Sequence, residues 1–203
     1  MRKLAEDGYP PTRIIGADIR ESYITLGHKL YNDASSCPIH FITSDIFDLS
    51  PTLPISPAPP SLSSLESVKG LDDVVGRIAH IYTGSLFHLF DKDTQLAIAI
   101  RLIVLLRRSG KSIIFGRHQG FEREGLIDDW LGRYAYSISF VRALESLHLM
   151  SGRSVRYAHS TASWARMWAA AFKHVTGSEE GFVVESELLV EDGSMPFKVW
   201  LCS

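Results

Sequence analysis

The chain is poor in cysteine, in excess positive charge and in long apolar runs, and each shortage removes a class of function. Its two cysteines, Cys37 and Cys202, lie far apart among 203 residues. Neither has a histidine nearby at zinc-ligand spacing, so we expect no disulfide framework and no metal site, and a reducing cytosol fits. Lys and Arg number 21 against 23 Asp and Glu. They are scattered, with no basic stripe to neutralise phosphates, so nucleic acid is not an expected partner. The apolar stretch Leu96 to Leu106 is broken by Arg101 and is too short to span a bilayer, and the opening MRKLAEDG is too polar for a signal peptide. A cytoplasmic protein with no membrane partner is the expectation.

What is present is an ordinary globular composition, 45% hydrophobic and 22% charged, enough for one α/β domain over residues 1–203. The most informative feature is a repeat. Arg13 to Asp18 (RIIGAD) and His40 to Asp45 (HFITSD) are short apolar runs, each closed by an acidic residue, with a helical pattern between them. This predicts strand, helix, strand, with a carboxylate at each carboxyl end. In an open parallel sheet those ends form the ligand crevice, so Asp18 is placed to accept from a ribose and Asp45 to meet an adenine amine. A carboxylate at the Asp18 strand end has no evident structural need and would lose solvation if unpaired. The glycine-rich turn expected one strand before Asp18 would lie upstream of Met1.

Proline and glycine punctuate the rest. Met1 to Asp7 reads as a helix end stopped by Gly8 and Pro10-Pro11. Residues Glu21 to Tyr31 carry Tyr23, Ile24, Leu26, Leu30 and Tyr31 at helical spacing, predicting an amphipathic helix packed on a sheet. Residues 49–72 hold the run PTLPISPAPPSLSS and predict an extended, exposed loop. Arg77 to Tyr82 predicts a strand, followed by a helix to about Arg107 that buries Leu96, Ile100, Ile103 and Leu106. Ser112 to Phe115 predicts another strand, with Gly116 to Gly120 as a polar loop at its end. Gly125 to Met150 reads as helical, as does Thr161 to His174, whose Trp164, Met167, Trp168, Ala171 and Phe172 share one face best read as core. Phe182 to Val190 and Phe197 to Leu201, split by Asp192-Gly193, predict a terminal hairpin.

A parallel sheet closed by an antiparallel hairpin, with the segments GRIAHIYTGSLFHLFDKDTQ, SIIFGRHQG, YAHSTASWARMW and FKVWLCS, resembles the class I S-adenosylmethionine-dependent methyltransferases, and within them the small-molecule enzymes of fungal secondary metabolism. The resemblance implies a Rossmann-like fold, S-adenosylmethionine as cofactor and a small-molecule acceptor. It implies that Asp18 binds ribose hydroxyls, that Asp45 and the Ile46 backbone bind adenine, and that Tyr82, Thr83 and Ser85 sit beside the sulfonium and the acceptor. The family's domain begins with a strand and a turn of the kind LDLGCxxGQ. Here these would precede Met1, so the implied sheet lacks its first, central strand and has a gap between the Asp18 and His80 strands. Residues 134–151 stand where relatives run more directly, as a possible insert.

Methyl transfer from a sulfonium is an in-line displacement, so the protein mainly supplies alignment and, for an oxygen acceptor, proton removal. His88 is the candidate to orient or deprotonate the acceptor. A histidine among Leu86, Phe87, Leu89 and Phe90 is also a common hydrogen-bonded core residue. His118 and His159 are further candidates with a structural or substrate-lining role. Two alternatives stay open: a degenerate, non-catalytic methyltransferase-like binding protein, and a nucleotide-linked oxidoreductase, which the missing glycine fingerprint disfavours.

Overall fold

The short apolar runs become strands and the mixed three-and-four spacings become helices. In the computed structural model, described for residues 1–52, 64–127, 156–189 and 197–202, they form three sheets around shared helices. A short helix α1 (Arg2–Glu6) precedes β1 (Ile15–Asp18), α2 (Glu21–Tyr31) and β2 (His40–Thr43). β1 and β2 pair in parallel, with Asp18 opposite Thr43. The second sheet contains β3 (His80–Gly84) and β4 (Ile113–Gln119), parallel to each other, and the antiparallel pair β7 (Val184–Leu189) and β8 (Phe197–Cys202). Its order is β3-β4-β8-β7. The expected terminal hairpin strands are therefore present and dock on β4, while the Asp192-Gly193 turn lies outside the described residues.

Among the described residues, β1 pairs with β2 alone and β3 with β4 alone. No described strand joins the two sheets; the core does. One hydrophobic cluster runs from Ile42 of β2 through Leu49, Val68 and Val74 to Phe87, Ile114 and helix α3 (Lys92–Leu105), and ends on Trp164, Met167 and Trp168 of α4 (Thr161–Thr176). Arg101 ties the pieces by donating its Nε hydrogen to the Leu49 carbonyl at 3.0 Å.

Helix α3 departs from the expected single stripe. Ile98, Ala99, Ile100, Leu102, Ile103, Val104 and Leu105 are all buried, as is Gln95, so the helix lies inside the fold rather than on its surface. Leu96 and Leu106 only pack against that core. Gln95 is tolerated there because its amide donates to the carbonyls of Phe90 and Tyr157 at 2.9 and 2.8 Å. Asp91 caps the helix, accepting from the Thr94 amide at 2.9 Å. Helix α4 starts on Ser160, which accepts from the Ser163 amide, and stops at Gly177 with φ of 78°.

Four further expectations need correction. Helix α2 does not bury its apolar face: Tyr23, Leu26, Leu30 and Tyr31 are exposed, Leu30 at 78%. Two strands are too narrow a platform to cover a three-turn helix. The predicted exposed loop over 49–72 has packed ends, since Leu49 and Val68 are buried and the His40 imidazole meets the Val68 carbonyl at 2.7 Å. Gly125 and Leu126 begin no helix; they form β5, paired antiparallel with β6 (Tyr157–Ala158). The possible insert at 134–151 lies outside the described residues. The β4 strand also runs through Gln119 instead of stopping at Phe115, because β8 supplies partners from Ile114 to Gln119.

Phe87 is the node of this core. It is 1% exposed and meets Trp164 edge-on at 4.9 Å and His118 at the same separation. We expect Phe87→Ala to lower the unfolding free energy by about 3–5 kcal/mol, measured by urea denaturation. A loss under about 1 kcal/mol would contradict this packing.

Candidate functional site

The first group of predicted site residues lies where β1 and β2 end. The Ser44 amide donates to the Asp18 carbonyl at 3.1 Å, so the two strand ends stay in register beyond the ladder. Asp18 Oδ1 accepts from the Arg20 amide at 2.8 Å, starting the turn into α2. Asp45 Oδ1 accepts from the Phe47 amide at 2.9 Å and caps the short helical turn Ile46–Asp48. Both carboxylates therefore have a structural task, against the expectation for Asp18. Each task uses one oxygen. Among the described residues, Oδ2 of Asp18 and of Asp45 receives no protein hydrogen bond, and Ile46 stands half-buried beside them. Each carboxylate therefore keeps one oxygen able to accept, beside the ends of two adjacent parallel strands.

The second group follows β3. Tyr82 is 64% exposed, with its ring tilted 5.4 Å from Phe115. Ser85 adopts φ of 55°, the left-handed region that a serine rarely occupies, and its amide donates to the Arg117 carbonyl at 2.7 Å. The device that holds this turn is His118, only 1% exposed on β4. Its Nδ1 accepts from the Leu86 and Phe87 amides at 3.2 and 3.3 Å, which leaves the proton on Nε2, 3.3 Å from Thr83 Oγ1. β4 can approach this turn closely because residue 116 is glycine; a Cβ there would collide with the Thr83 carbonyl oxygen. The sequence suggested a structural or substrate-lining role for His118. The geometry makes it a positioning residue for the segment Thr83 to Phe87.

His88 lies next to this turn. The Gln119 amide donates to its Nδ1 at 3.3 Å, so the neutral ring carries its proton on Nε2 and presents a donor. Burial, with the nearby Arg156 charge adding to it, lowers the His88 pKa to about 4. Burial, with His88 adding, lowers His118 to about 3. Arg156 was not singled out by the sequence, yet it supports this loop by donating its Nε hydrogen to the His88 carbonyl at 3.2 Å. Also unforeseen is Glu124, which accepts from the Tyr157 hydroxyl at 2.6 Å and pairs with Arg166 at 2.8 Å. The Tyr157 hydroxyl, partly offset by burial, lowers the Glu124 pKa to about 2, with Lys92 adding to the effect. Isolated Arg and Glu in loops carry no periodic signal that would have marked them. His159 is buried and its Nδ1 meets Ser163 Oγ at 3.0 Å. Cys37, which has no histidine close in sequence, has one in space: donor atoms of His28, Asp33 and Cys37 lie within 4.8 Å of one another.

The structure thus brings together Asp18, Asp45 and Ile46, and separately Tyr82, Thr83, Ser85 and His88, with no hydrogen bond between the two groups among the described residues. The chain superposes on a Burkholderia thailandensis 1,6-didemethyltoxoflavin-N1-methyltransferase, solved with its substrate and S-adenosylhomocysteine, with a TM-score of 0.55 at 12% identity, covering 99% of this chain and 64% of that one. A methyltransferase of Anabaena variabilis gives 0.52 at 16% identity over 100% of this chain and 71% of that one. The fold is that of the class I methyltransferases. Each group lies at the carboxyl end of a strand that has a parallel partner, Asp18 closing β1 and Thr83 to Ser85 running out of the end of β3.

Sequence comparison finds fungal methyltransferases. The chain is 27% identical to a fungal O-methyltransferase, phiE, over 168 residues, which is 83% of this chain and 44% of that protein. It is 25% identical over 169 residues to methyltransferase ausD of Penicillium brasilianum, covering 83% and 47% respectively. It is 26% identical over 168 residues to an asnovolin E/chermesin D methyltransferase of Aspergillus novofumigatus, covering 83% and 47%. The chain spans just under half the length of these relatives. No family model matches it. Among the described residues, no helix is long and apolar enough to cross a membrane.

The two lowered histidines set a pH dependence. A histidine whose folded pKa lies below its ordinary 6.5 adds stability that is complete above that value and is lost as pH falls toward the folded value. We therefore expect the melting temperature to fall between pH 6.5 and pH 5, above the range where the lowered carboxylates Glu124 and Asp91 begin to contribute. His118→Gln should flatten that segment of the profile, as read by calorimetry. An unchanged slope would show that His118 is not held neutral by the fold.

Proposed function

We propose that this chain is the cofactor- and acceptor-binding part of an S-adenosylmethionine-dependent methyltransferase acting on a small molecule. The observation that carries the reading is the pair of strand-end carboxylates, Asp18 and Asp45, each with one oxygen left to accept, in a class I methyltransferase fold. The donor chemistry fits the cofactor's adenosine. Asp18 would hold the ribose hydroxyls, Asp45 and the Ile46 backbone the adenine, and the Tyr82–Ser85 turn would lie beside the reactive end. When bound, the cofactor supplies an electrophilic methyl group on a sulfonium.

His88 then acts as an orienting donor rather than a base. Its only free ring position, Nε2, carries the proton, and its lowered basicity makes it a poor proton acceptor near neutral pH. Its role would be to fix an oxygen of the acceptor in line with the methyl group, which is the main demand of the displacement. A second reading, a binding protein without turnover, is favoured by one observation: β1 and β3 each pair on one side only among the described residues. The two readings differ in turnover and agree on cofactor binding.

Calorimetric titration of the chain with S-adenosylmethionine and with NAD tests the first step. We expect S-adenosylmethionine to bind in preference to NAD, and Asp18→Ala to weaken it by about 1–3 kcal/mol, the usual loss for a charged hydrogen-bond acceptor. Preference for NAD, or an affinity unchanged in Asp18→Ala, would overturn the assignment.

Turnover tests the second. His88→Ala should lower methyl transfer more than cofactor affinity, and His88→Gln, whose amide keeps a donor, should retain most of it. If both variants fail equally while binding the cofactor, His88 is a base after all.

A further inference from the structure

Outside the proposed methyl-transfer site, one cluster joins three metal-binding chemistries. His28 lies in the last turn of α2, Asp33 follows the helix, and Cys37 lies one turn of loop beyond. All three are half-buried and their donor atoms lie within 4.8 Å of one another. The local chain is well tied: the Asp33 amide donates to the His28 carbonyl at 3.2 Å, and the Cys37 amide to the Asp33 carbonyl at 2.8 Å. The His28 ring is oriented by Phe41, edge-on at 5.3 Å.

A cation already occupies the cluster. The Arg2 guanidinium donates to both Asp33 oxygens, with Nη2 at 3.0 Å from Oδ1, and Nη2 lies 3.4 Å from His28 Nδ1. His28 Nδ1 itself stands 2.8 Å from Asp33 Oδ1. Arg2 caps the grouping from α1 and lies over the Tyr31 and Phe41 rings at 4.5 and 5.2 Å. Its hydrogen bonds hold the Asp33 carboxyl well below the usual carboxylate range. The cluster also sits at the carboxyl end of α2, where the helix dipole favours positive charge.

We propose that His28, Asp33 and Cys37 bind a zinc-type divalent cation in competition with Arg2. Imidazole nitrogen, carboxylate oxygen and thiolate sulfur are a zinc ligand set, with a fourth position open to water. Tetrahedral zinc with bonds of about 2.0–2.3 Å holds its ligands roughly 3.5 Å apart, so no pair needs to close by much more than about 1 Å, and the 2.8 Å His28–Asp33 contact opens slightly. Binding requires Cys37 to release its thiol proton to solvent and the His28 ring to be neutral at Nδ1. The metal takes the place of the guanidinium on Asp33, and Arg2 is released. Arg2 links α1 to this corner, so occupancy of the site also releases that tie.

The competition makes the proposal testable, because removing Arg2 should help the metal, whereas a purely structural cluster would only lose stability. We would titrate zinc chloride into the 203-residue chain against a chromophoric chelator, in a Cys202→Ser background so that one thiol remains. One equivalent should bind. Cys37→Ser and His28→Ala should each weaken binding about tenfold or more, given that loss of an outer-shell partner alone has an effect of that size, and Arg2→Ala should tighten it. Cobalt should give a sulfur-to-metal charge-transfer band that Cys37→Ser abolishes, and bound zinc should protect Cys37 from alkylation in the otherwise unaltered site. Failure of both the parent and Arg2→Ala to bind one equivalent, weaker binding by Arg2→Ala, or an alkylation rate unaffected by zinc would each overturn the proposal.

Discussion

The imidazole of His118 is the constraint on which the second half of the fold depends. It stands near the carboxyl end of β4, fully enclosed, and takes two backbone amides from the start of the Phe87–Leu89 turn onto one ring nitrogen. Those amides sit at the beginning of a helical turn with no intrahelical acceptor, and burial would make them costly if unpaired. By accepting both, His118 fixes where the chain leaves β3 and makes the left-handed Ser85 conformation tolerable. That exit in turn places Phe87 in the core against Trp164 and Trp168 of α4, and leaves His88 beside Gln119. A side chain without an acceptor in this place would release the turn, the aromatic cluster and the candidate acceptor site together.

The same economy appears at the other strand ends. Asp18 and Asp45 each spend one oxygen on a backbone amide, and among the described residues the other takes no protein hydrogen bond, so one carboxylate both caps a turn and keeps an acceptor for the proposed ligand. A capping carboxylate is held in one orientation by its amide partner, which is the preorganisation a ribose or adenine contact needs. The two halves of the edge are joined through side chains rather than through a ladder. Ile42, Leu49 and Val68 from the first half pack on α3, and α3 packs on α4 and the second sheet. The central position of α3 explains why it is apolar nearly all round, and why Gln95 and Arg101, its buried or half-buried polar residues, both reach backbone carbonyls in neighbouring segments.

Much of this organisation was legible in the residues. The RIIGAD and HFITSD runs contain β1 and β2, which pair in parallel with Asp18 opposite Thr43 and Asp45 two residues further on, because short apolar runs closed by a polar residue are a local pattern that a parallel pair satisfies directly. The bounds of α2, Glu21 to Tyr31, follow from a helical spacing that acts over a few residues. The misreadings occurred where distant segments decide. Helix α2 has the right periodicity, yet most of its apolar face, Tyr23, Leu26, Leu30 and Tyr31, stays exposed. The ends of the Pro-rich loop pack because β2 and α3 happen to flank them. Gly125 pairs with Ala158 across more than thirty residues, which no local propensity signals.

By itself, then, the sequence determined the element types, the acidic strand ends and the resemblance to class I methyltransferases, since each depends on spacing or composition within a short window. Tertiary structure alone decided which nitrogen of His88 carries the proton, that His118 holds the turn after β3, that Glu124 meets Tyr157 and Arg166, and that Arg2, His28, Asp33 and Cys37 converge at one corner. Those four outcomes share a physical reason. Each is set by a hydrogen bond or charge contact between segments far apart in the chain, and such contacts are specified by the geometry of packing, which leaves no periodic trace in the order of residues.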